Sequence, residues 1–403
     1  MNRLIHRDQY IDRILPFIDT DIVKVLVGMR RSGKSVLMSL LMEHLKKRGV
    51  EESKLLVYNF ESYQTIGLRK ADRLYEEIQS RITEPGERYY LFFDEIQEVQ
   101  GWERVINSLR VDFHVDIYIT GSNAGLLSGE LATYLAGRYI EIPVYPFSFK
   151  EFSEQSAVLG LSYSDDELFS QFIRVGGMPF LGNLALAEEP VTQYLRDLYN
   201  SVLLKDIIER NNIRDVELLE RILIYIISNI GKTFSAKNIS DYLKSEQRKV
   251  APETVYNYIK ACEQACLLHK VRRQDLVGKK ILKVQEKIFI TDHGLRQAIY
   301  GKNNQHIDQV LKNIIYMELL RRGYKITIGK YQDKEVDFVA EKGSQRTYFQ
   351  VCYLLASEEV TQREFSVLEN IPDNYPKYVL SLDQFDFSRN GIIHRNIRDF
   401  LLS

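Results

Sequence analysis

The sequence predicts an α/β protein: a P-loop parallel sheet first, then a helical lid, a winged helix-turn-helix and a second, smaller α/β segment. Three observations predict it. Residues Gly28-Met29-Arg30-Arg31-Ser32-Gly33-Lys34-Ser35 fit G-x-x-x-x-G-K-[ST], and they stand between an apolar run, Ile22 to Val27, and a helical pattern, Val36 to Leu45. The run Tyr89-Tyr90-Leu91-Phe92-Phe93 ends in Asp94-Glu95, which reads as a buried strand with carboxylates at its C-terminal edge. Between residues 216 and 300, three helical patterns are followed by a hairpin pattern, the order of a winged helix-turn-helix.

Residues 1–146 alternate strand candidates (22–27, 54–60, 89–94, 115–120) with helix candidates (34–48, 70–82, 102–110). That alternation is a βαβ series and argues a parallel sheet with flanking helices. A short strand from Tyr139 to Val144 closes the segment at Pro146. Residues 147–215 are helical in pattern (149–154, 165–174, 190–209) and are interrupted by Gly176-Gly177-Met178-Pro179, so they read as the lid. Residues 216–305 open with a helix from Val216 to Ile230, offer Ser235 as an N-cap, and place Pro252 in the first turn of a helix running to Leu268. Strand patterns at 270–273 and 281–284 follow, separated by Gly278-Lys279-Lys280. Residues 306–403 combine a helix (307–322), strands (324–328, 335–340, 346–353), a helix (358–368) and a strand (377–382).

The chemistry concentrates in the first segment. Backbone N–H groups of the glycine loop and the start of the next helix suit a polyphosphate anion. Lys34 is placed to reach the β- and γ-phosphates, and the Ser35 hydroxyl to ligate Mg²⁺. Asp94 suits Mg²⁺ held through water, and Glu95 suits polarisation of an attacking water. The expected cofactor-binding set is therefore Gly28, Arg30, Arg31, Ser32, Gly33, Lys34, Ser35 and Val36. For Arg30 and Arg31, contact with a phosphate and exposure to solvent both remain open.

With 403 residues the chain has room for two to four domains, and its 27% charged content is that of an ordinary globular protein. The net charge of −1 gives no overall sign of a nucleic-acid partner. The charge is uneven, however. Residues 232–283 hold twelve Lys and Arg against five acids, a local +7 that leaves −8 on the rest. That segment is a candidate anion-binding face. Three cysteines make no disulfide framework and suit a reducing cytosol. Cys262, Cys266 and His269 fall close together on the expected helix, which leaves open a metal site or simply buried thiols. No apolar leader core and no bilayer-length apolar stretch is present, so the expectation is a cytoplasmic protein without a membrane partner.

The chain resembles the bacterial and archaeal AAA-type ATPases that end in a restriction-nuclease-like domain of unknown function. The resemblance rests on Gly28 to Ser35, Phe93-Asp94-Glu95-Ile96-Gln97 with Trp102 downstream, Thr120-Gly121-Ser122, Leu135-Ala136-Gly137-Arg138 and Gly176-Gly177-Met178-Pro179. It implies that Ser122 occupies the sensor position, although Thr-Gly-Ser also suits a plain strand-end turn. It implies that Arg138 is an arginine finger offered across a subunit interface, with a structural salt bridge as the alternative. It places Pro179 of the lid on the nucleotide, against a simple helix break. In the C-terminal domain it implies Glu318 and Asp337 as metal-binding acids, but Gln350 stands where a third carboxylate belongs and Cys352 where a Lys belongs. A degenerate, non-cutting domain is expected.

The expectation from sequence is thus an Mg²⁺-dependent ATPase of AAA type, with ATP and Mg²⁺ as cofactors and nucleotide state coupled to the winged-helix segment. DNA bound through residues 232–283, a protein partner, and a homo-oligomer all remain open. Two alternatives stand beside it: a nucleotide-gated DNA-binding regulator with negligible turnover, and a nuclease.

Overall fold

The computed structural model describes residues 4–127, 135, 137–278, 280–301 and 306–403. Ala136 and Lys279, both singled out above, lie outside the described residues. The chain forms two compact units, residues 1–146 together with 264–266, and residues 147–263 together with 267–403. The boundaries expected at 215 and 305 both fall inside the second unit.

The first unit is built on a five-stranded sheet in the order β2-β3-β4-β1-β5. Its strands are β1 (Val23–Val27), β2 (Leu55–Asn59), β3 (Tyr89–Asp94), β4 (Val115–Gly121) and β5 (Tyr139–Pro143), all paired in parallel. β1, β3 and β4 are buried at every position, which is why they read as near-continuous apolar runs. Alternate residues feed two cores. Val25, Leu91, Phe93, Ile117 and Ile119 face helices Ala71–Arg81 and Trp102–Asp112 through Leu74, Ile78, Trp102, Ile106 and Leu109. Leu26, Phe92 and Tyr118 face helices Asp8–Ile14 and Lys34–Lys47 through Tyr10, Ile14, Leu37, Leu41 and Leu45. Parallel pairing brings the C-terminal ends of β1, β3 and β4 to one edge, where open α/β sheets bind ligands. Toward the other end of the strands, a fully buried ion pair joins Lys24 of β1 to Asp116 of β4. Asp116 also accepts from the Asp19 N–H (2.9 Å) and the Tyr118 hydroxyl (3.0 Å), so the buried carboxylate keeps its partners.

The second unit begins with helices Phe149–Val158 and Asp165–Val175, each opened by a complete capping box, Ser148 with Glu151 and Ser164 with Glu167. Helix Glu188–Ser201 runs on into a π-helical stretch, Val202–Glu209. Helices Val216–Ser228, Ala236–Ser245 and Pro252–Gln264 come next, then β7 (Leu268–Asp275) and β8 (Lys280–Ile290), with β6 (Thr233–Phe234) paired to β8. Helices His293–Tyr300 and Ile307–Arg321 lead to β9 (Lys325–Tyr331), β10 (Lys334–Lys342) and β11 (Gln345–Val351). Helix Glu358–Glu369, β12 (Lys377–Ser381), β13 (Ile393–Asn396) and helix Ile397–Leu402 complete the unit. The hairpin β7–β8 does not stand apart. β7 pairs in parallel with β9, Arg273 opposite Ile328, and this makes one eight-stranded sheet, β13-β12-β11-β10-β9-β7-β8-β6.

One sequence expectation changes here. The helix expected to reach Leu268 stops at Gln264, because Cys266 adopts a left-handed φ of 54° and β7 begins two residues later. Cys262 is therefore on a helix, Cys266 in a turn and His269 on a strand. Burial pushes the Cys262 thiol up and the His269 imidazole down to about 4, and His269 Nε2 lies 2.9 Å from the Thr291 hydroxyl. Among the described residues no group of three or more His, Cys, Asp or Glu could hold a metal. Gly176 and Gly177 interrupt the helices as a turn, and close approaches require both. A Cβ on Gly176 would meet Asp292 Oδ1 at 2.0 Å, and one on Gly177 would meet the Phe147 carbonyl oxygen at 2.2 Å. Asp292 Oδ2 accepts from the Gly177 N–H and Oδ1 from the Gly294 N–H, both at 2.8 Å. The paired glycines let this turn close onto the start of helix His293–Tyr300.

Candidate nucleotide-binding site

The loop after β1 holds its shape through two left-handed residues, Arg31 (φ 65°) and Gly33 (φ 98°), the latter capping helix Lys34–Lys47. Gly28 is required by a close approach: a Cβ there would stand 2.1 Å from the Val144 carbonyl oxygen. The loop is thus clamped against the chain leaving β5, and Val144 N–H donates to the Val27 carbonyl at 2.7 Å. Lys34 is buried, and its Nζ donates to the carbonyls of Gly28 (2.9 Å) and Met29 (3.2 Å). It also lies 3.5 Å from Glu95 Oε1. Ser32 is buried and its hydroxyl has no hydrogen-bond partner, a polar atom left for a ligand inside the loop. Ser35 and Val36 are exposed at the helix start. Arg30 pairs with Glu61 at 2.9 Å, and Arg31 faces solvent.

The carboxylates meet this loop from β3. Thr120 of β4 donates through its hydroxyl to Asp94 Oδ1 (2.6 Å) and accepts from the Glu95 N–H (2.9 Å). One hydroxyl therefore fixes both acids. Burial pushes the Asp94 carboxyl above its usual range, while hydrogen bonds from Thr120 and Ser35 pull the other way. Glu95 is set apart by a left-handed backbone, φ 53°. Burial again opposes its charge, but Lys34, Gln97, Arg30 and Ser122 outweigh it and hold its carboxyl below the usual range. Ser122 is fully buried and reaches Glu95 by a hydrogen bond. Lys34, Ser35, Asp94, Glu95 and Ser122 are thereby brought together.

The donor set fits a magnesium nucleotide. Loop N–H groups, Lys34 and the unpartnered Ser32 hydroxyl suit phosphate oxygens, and Ser35 with Asp94 supplies oxygen for a hard cation. Within the first unit, one expected residue stands apart from this cluster. Arg138 is exposed and stands just before β5, where its carbonyl accepts from the Val23 N–H at 2.9 Å. That is the N-terminal edge of β1, roughly 13 Å from the loop at about 3.3 Å per residue. Pro179 opens a short 3₁₀ stretch, Pro179–Leu184, in the second unit.

Sequence reasoning missed Arg7. It is buried, stacks over the Tyr10 ring at 4.4 Å, and donates to the carbonyls of Ser32 (3.1 Å) and Tyr145 (2.8 Å). It ties the phosphate loop to the chain beyond β5. The sequence carries no clear signal for it, since Arg7 stands between His6 and Asp8. Thr120 was visible only as part of the Thr-Gly-Ser motif.

In the C-terminal segment the expected acids do not meet. Glu318 is buried against Arg322 (2.8 Å) and Arg321 (3.6 Å) on its own helix. Asp337 instead receives Lys312 Nζ at 2.5 Å. Six residues separate Lys312 from Glu318, so at 100° per residue the two point to different faces.

Residues 20–153 match the AAA domain family, and residues 166–306 match a domain of unknown function, DUF8612. An uncharacterized protein of Haemophilus influenzae is 38% identical over 99% of each chain. Uncharacterized protein MJ1544 of Methanocaldococcus jannaschii is 30% identical over 86% of this chain and 78% of its own. The Walker-type ATPase of Pyrococcus abyssi shares the fold at a TM-score of 0.52 and 17% identity, over 74% of this chain and 96% of its own. Among the described residues, no helix is long and apolar enough to cross a membrane. With the loop, the paired acids and the β2-β3-β4-β1-β5 order in place, the chain belongs to the family of these Haemophilus and Methanocaldococcus proteins, which carries an AAA-type ATPase fold at its N-terminal end.

Proposed function

We propose that the chain hydrolyses ATP with Mg²⁺ at the loop of the first unit and uses nucleotide state to control a winged-helix module in the second. One observation carries the reading: the Thr120 hydroxyl holds Asp94 and the Glu95 backbone together while Lys34 lies 3.5 Å from the Glu95 carboxylate. Lys34 and the loop bind the phosphates, and Ser35 and Asp94 hold Mg²⁺. Glu95 orients water, with Ser122 and Gln97 holding its carboxylate. Arg138, exposed and remote from its own loop, suits a role toward a second copy. Residues 216–290, three helices followed by a hairpin, support the winged-helix reading, and the +7 charge of 232–283 supports DNA as its partner. That same charge favours the alternative of a DNA-binding regulator with negligible turnover. Steady-state ATP hydrolysis by the purified protein, with and without duplex DNA and alongside native mass measurement, separates the two. Turnover that rises with DNA supports the first reading, and tight binding without turnover supports the second.

Gln350 argues against DNA cleavage. Its Oε1 accepts from the Asp337 N–H (3.2 Å) and its Nε2 donates to Glu364 Oε2 (2.9 Å), so both ends of the carboxamide are engaged. We read residues 306–403 as a degenerate nuclease-like segment with a structural role.

A further inference from the structure

Asp337 on β10, Gln350 on β11 and Glu364 on helix Glu358–Glu369 form one buried polar pocket. Gln350 links the two acids, its oxygen accepting from the Asp337 N–H and its nitrogen donating to Glu364, and buried carboxylates of this kind are what a hard divalent cation seeks. Here the positive charge comes from the chain. Lys312, on helix Ile307–Arg321, sets its ammonium 2.5 Å from Asp337 Oδ1. Asp337 Oδ2 accepts from the Val351 N–H at 2.9 Å, so the carboxylate is fully partnered. Glu364 is balanced separately by Arg363 at 2.7 Å.

We propose that this pocket is a cation site closed by the Lys312 ammonium, so that the C-terminal segment keeps its fold without a divalent metal. The physical reason is charge. A buried carboxylate lacking a counter-charge is costly, and here one lysine of the chain supplies that charge. An ammonium on Asp337 also repels a divalent ion at the same oxygen. The Mg²⁺ requirement of the whole protein would then arise at the phosphate loop alone.

The test uses the full chain without nucleotide. Lys312→Met keeps the apolar stem and removes the ammonium. Mn²⁺ binding is read by electron paramagnetic resonance, and melting is followed in chelator and in Mn²⁺. The expected result is one added Mn²⁺ per chain in Lys312→Met, lost again when Asp337→Asn is combined with it, and a melting midpoint that falls in chelator and recovers with Mn²⁺. Lys312→Arg should keep the wild-type midpoint in chelator and gain no Mn²⁺. If Lys312→Met is unfolded in chelator, recovery of its near-ultraviolet circular dichroism by Mn²⁺, but not by sodium at equal ionic strength, supports the proposal. Absence of that recovery overturns it. An Asp337-dependent Mn²⁺ already bound by the wild type, or a folded Lys312→Met that gains none, overturns it too.

Discussion

Thr120→Val removes one hydroxyl at a fully buried position and keeps the side chain's shape. Two bonds go with it. The donor to the Asp94 carboxylate at 2.6 Å is charge-assisted, of a kind that contributes about 1.5–3 kcal/mol. The Glu95 N–H loses its acceptor at 2.9 Å, and leaving a buried donor unpaired costs about 1–3 kcal/mol. Glu95 holds a left-handed conformation with φ 53°, so freeing its N–H lets the acid drift from its place. With each ~1.4 kcal/mol worth a factor of ten in rate, turnover should drop about 10- to 100-fold. ATP binding should change little, since the loop and Lys34 are untouched. A pH effect accompanies the loss. Burial already raises the Asp94 carboxyl, and Thr120 pulls it down, so removing the hydroxyl raises it further. Asp94 must be ionised to hold Mg²⁺, so the acid limb of the activity profile should move to higher pH. For stability the sign is the same. A carboxyl raised on folding contributes stability that is full below its ordinary pKa and lost as pH rises through the folded value, so the unliganded variant should lose stability toward neutral pH more than the wild type. Steady-state hydrolysis across pH, with nucleotide binding by calorimetry and Thr120→Ser as the variant that keeps the hydroxyl, measures all of this. Turnover in Thr120→Val within about twofold of wild type, an effect of only ~0.4 kcal/mol, would refute the assignment of Thr120 as the holder of both acids.

Lys34→Ala should weaken ATP binding by calorimetry to near the detection limit, because the loop loses the cation that reaches the phosphates. Glu95→Gln should bind ATP like wild type and turn it over at least about a hundredfold more slowly, within the usual range for a lost general base; stopped-flow phosphate release reads it. Reversing Lys279 and Lys280 to Glu should weaken DNA binding for all sequences alike and flatten its salt dependence, and an unchanged salt slope would point to a protein partner.

The parallel sheet was legible because β1 and β3 are buried on both faces and so appear as near-continuous apolar runs at 22–27 and 89–93. The phosphate loop was legible because its residue types answer to backbone demands, notably Gly28 beneath the Val144 carbonyl and the left-handed Gly33. Contacts between distant segments were not. Arg7 reaches Ser32 and Tyr145 only after the sheet has formed, and Lys312 reaches Asp337 only when helix and strand are packed. Glu318 was the more visible acid on that helix, yet helical spacing turns it away from Asp337 toward Arg322. Helix His293–Tyr300 escaped because its eight residues are too few for a clear 3.6-residue period. The closing pair, β13 and helix Ile397–Leu402, is shorter still.

The second unit bears on how a nucleotide signal would travel. Asp292 is buried and holds two backbone N–H groups 117 residues apart in the chain, Gly177 in the lid turn and Gly294 at the start of helix His293–Tyr300. His293 Nε2, beside it, lies 2.7 Å from the Phe172 carbonyl. At the far end, Arg398 pairs with Asp166, so the last helix is tied to the lid as well. The hairpin β7–β8 joins the same body through β9, and Glu335 on β10 fastens it with Lys287 at 2.5 Å and Arg273 at 3.5 Å. These links leave the lid little freedom to move alone. A segment 147–215 that swings as a separate flap would have to break the Gly177 bond to the buried Asp292 carboxylate and the contact of His293 with the Phe172 carbonyl, each costly to leave unmade. Displacement of residues 147–215 should instead carry the hairpin β7–β8 with it. Hydrogen exchange at Gly177 and Gly294 decides between the two: equal protection with and without ATP fits a rigid body, whereas ATP-dependent exposure of Gly177 alone fits a flap.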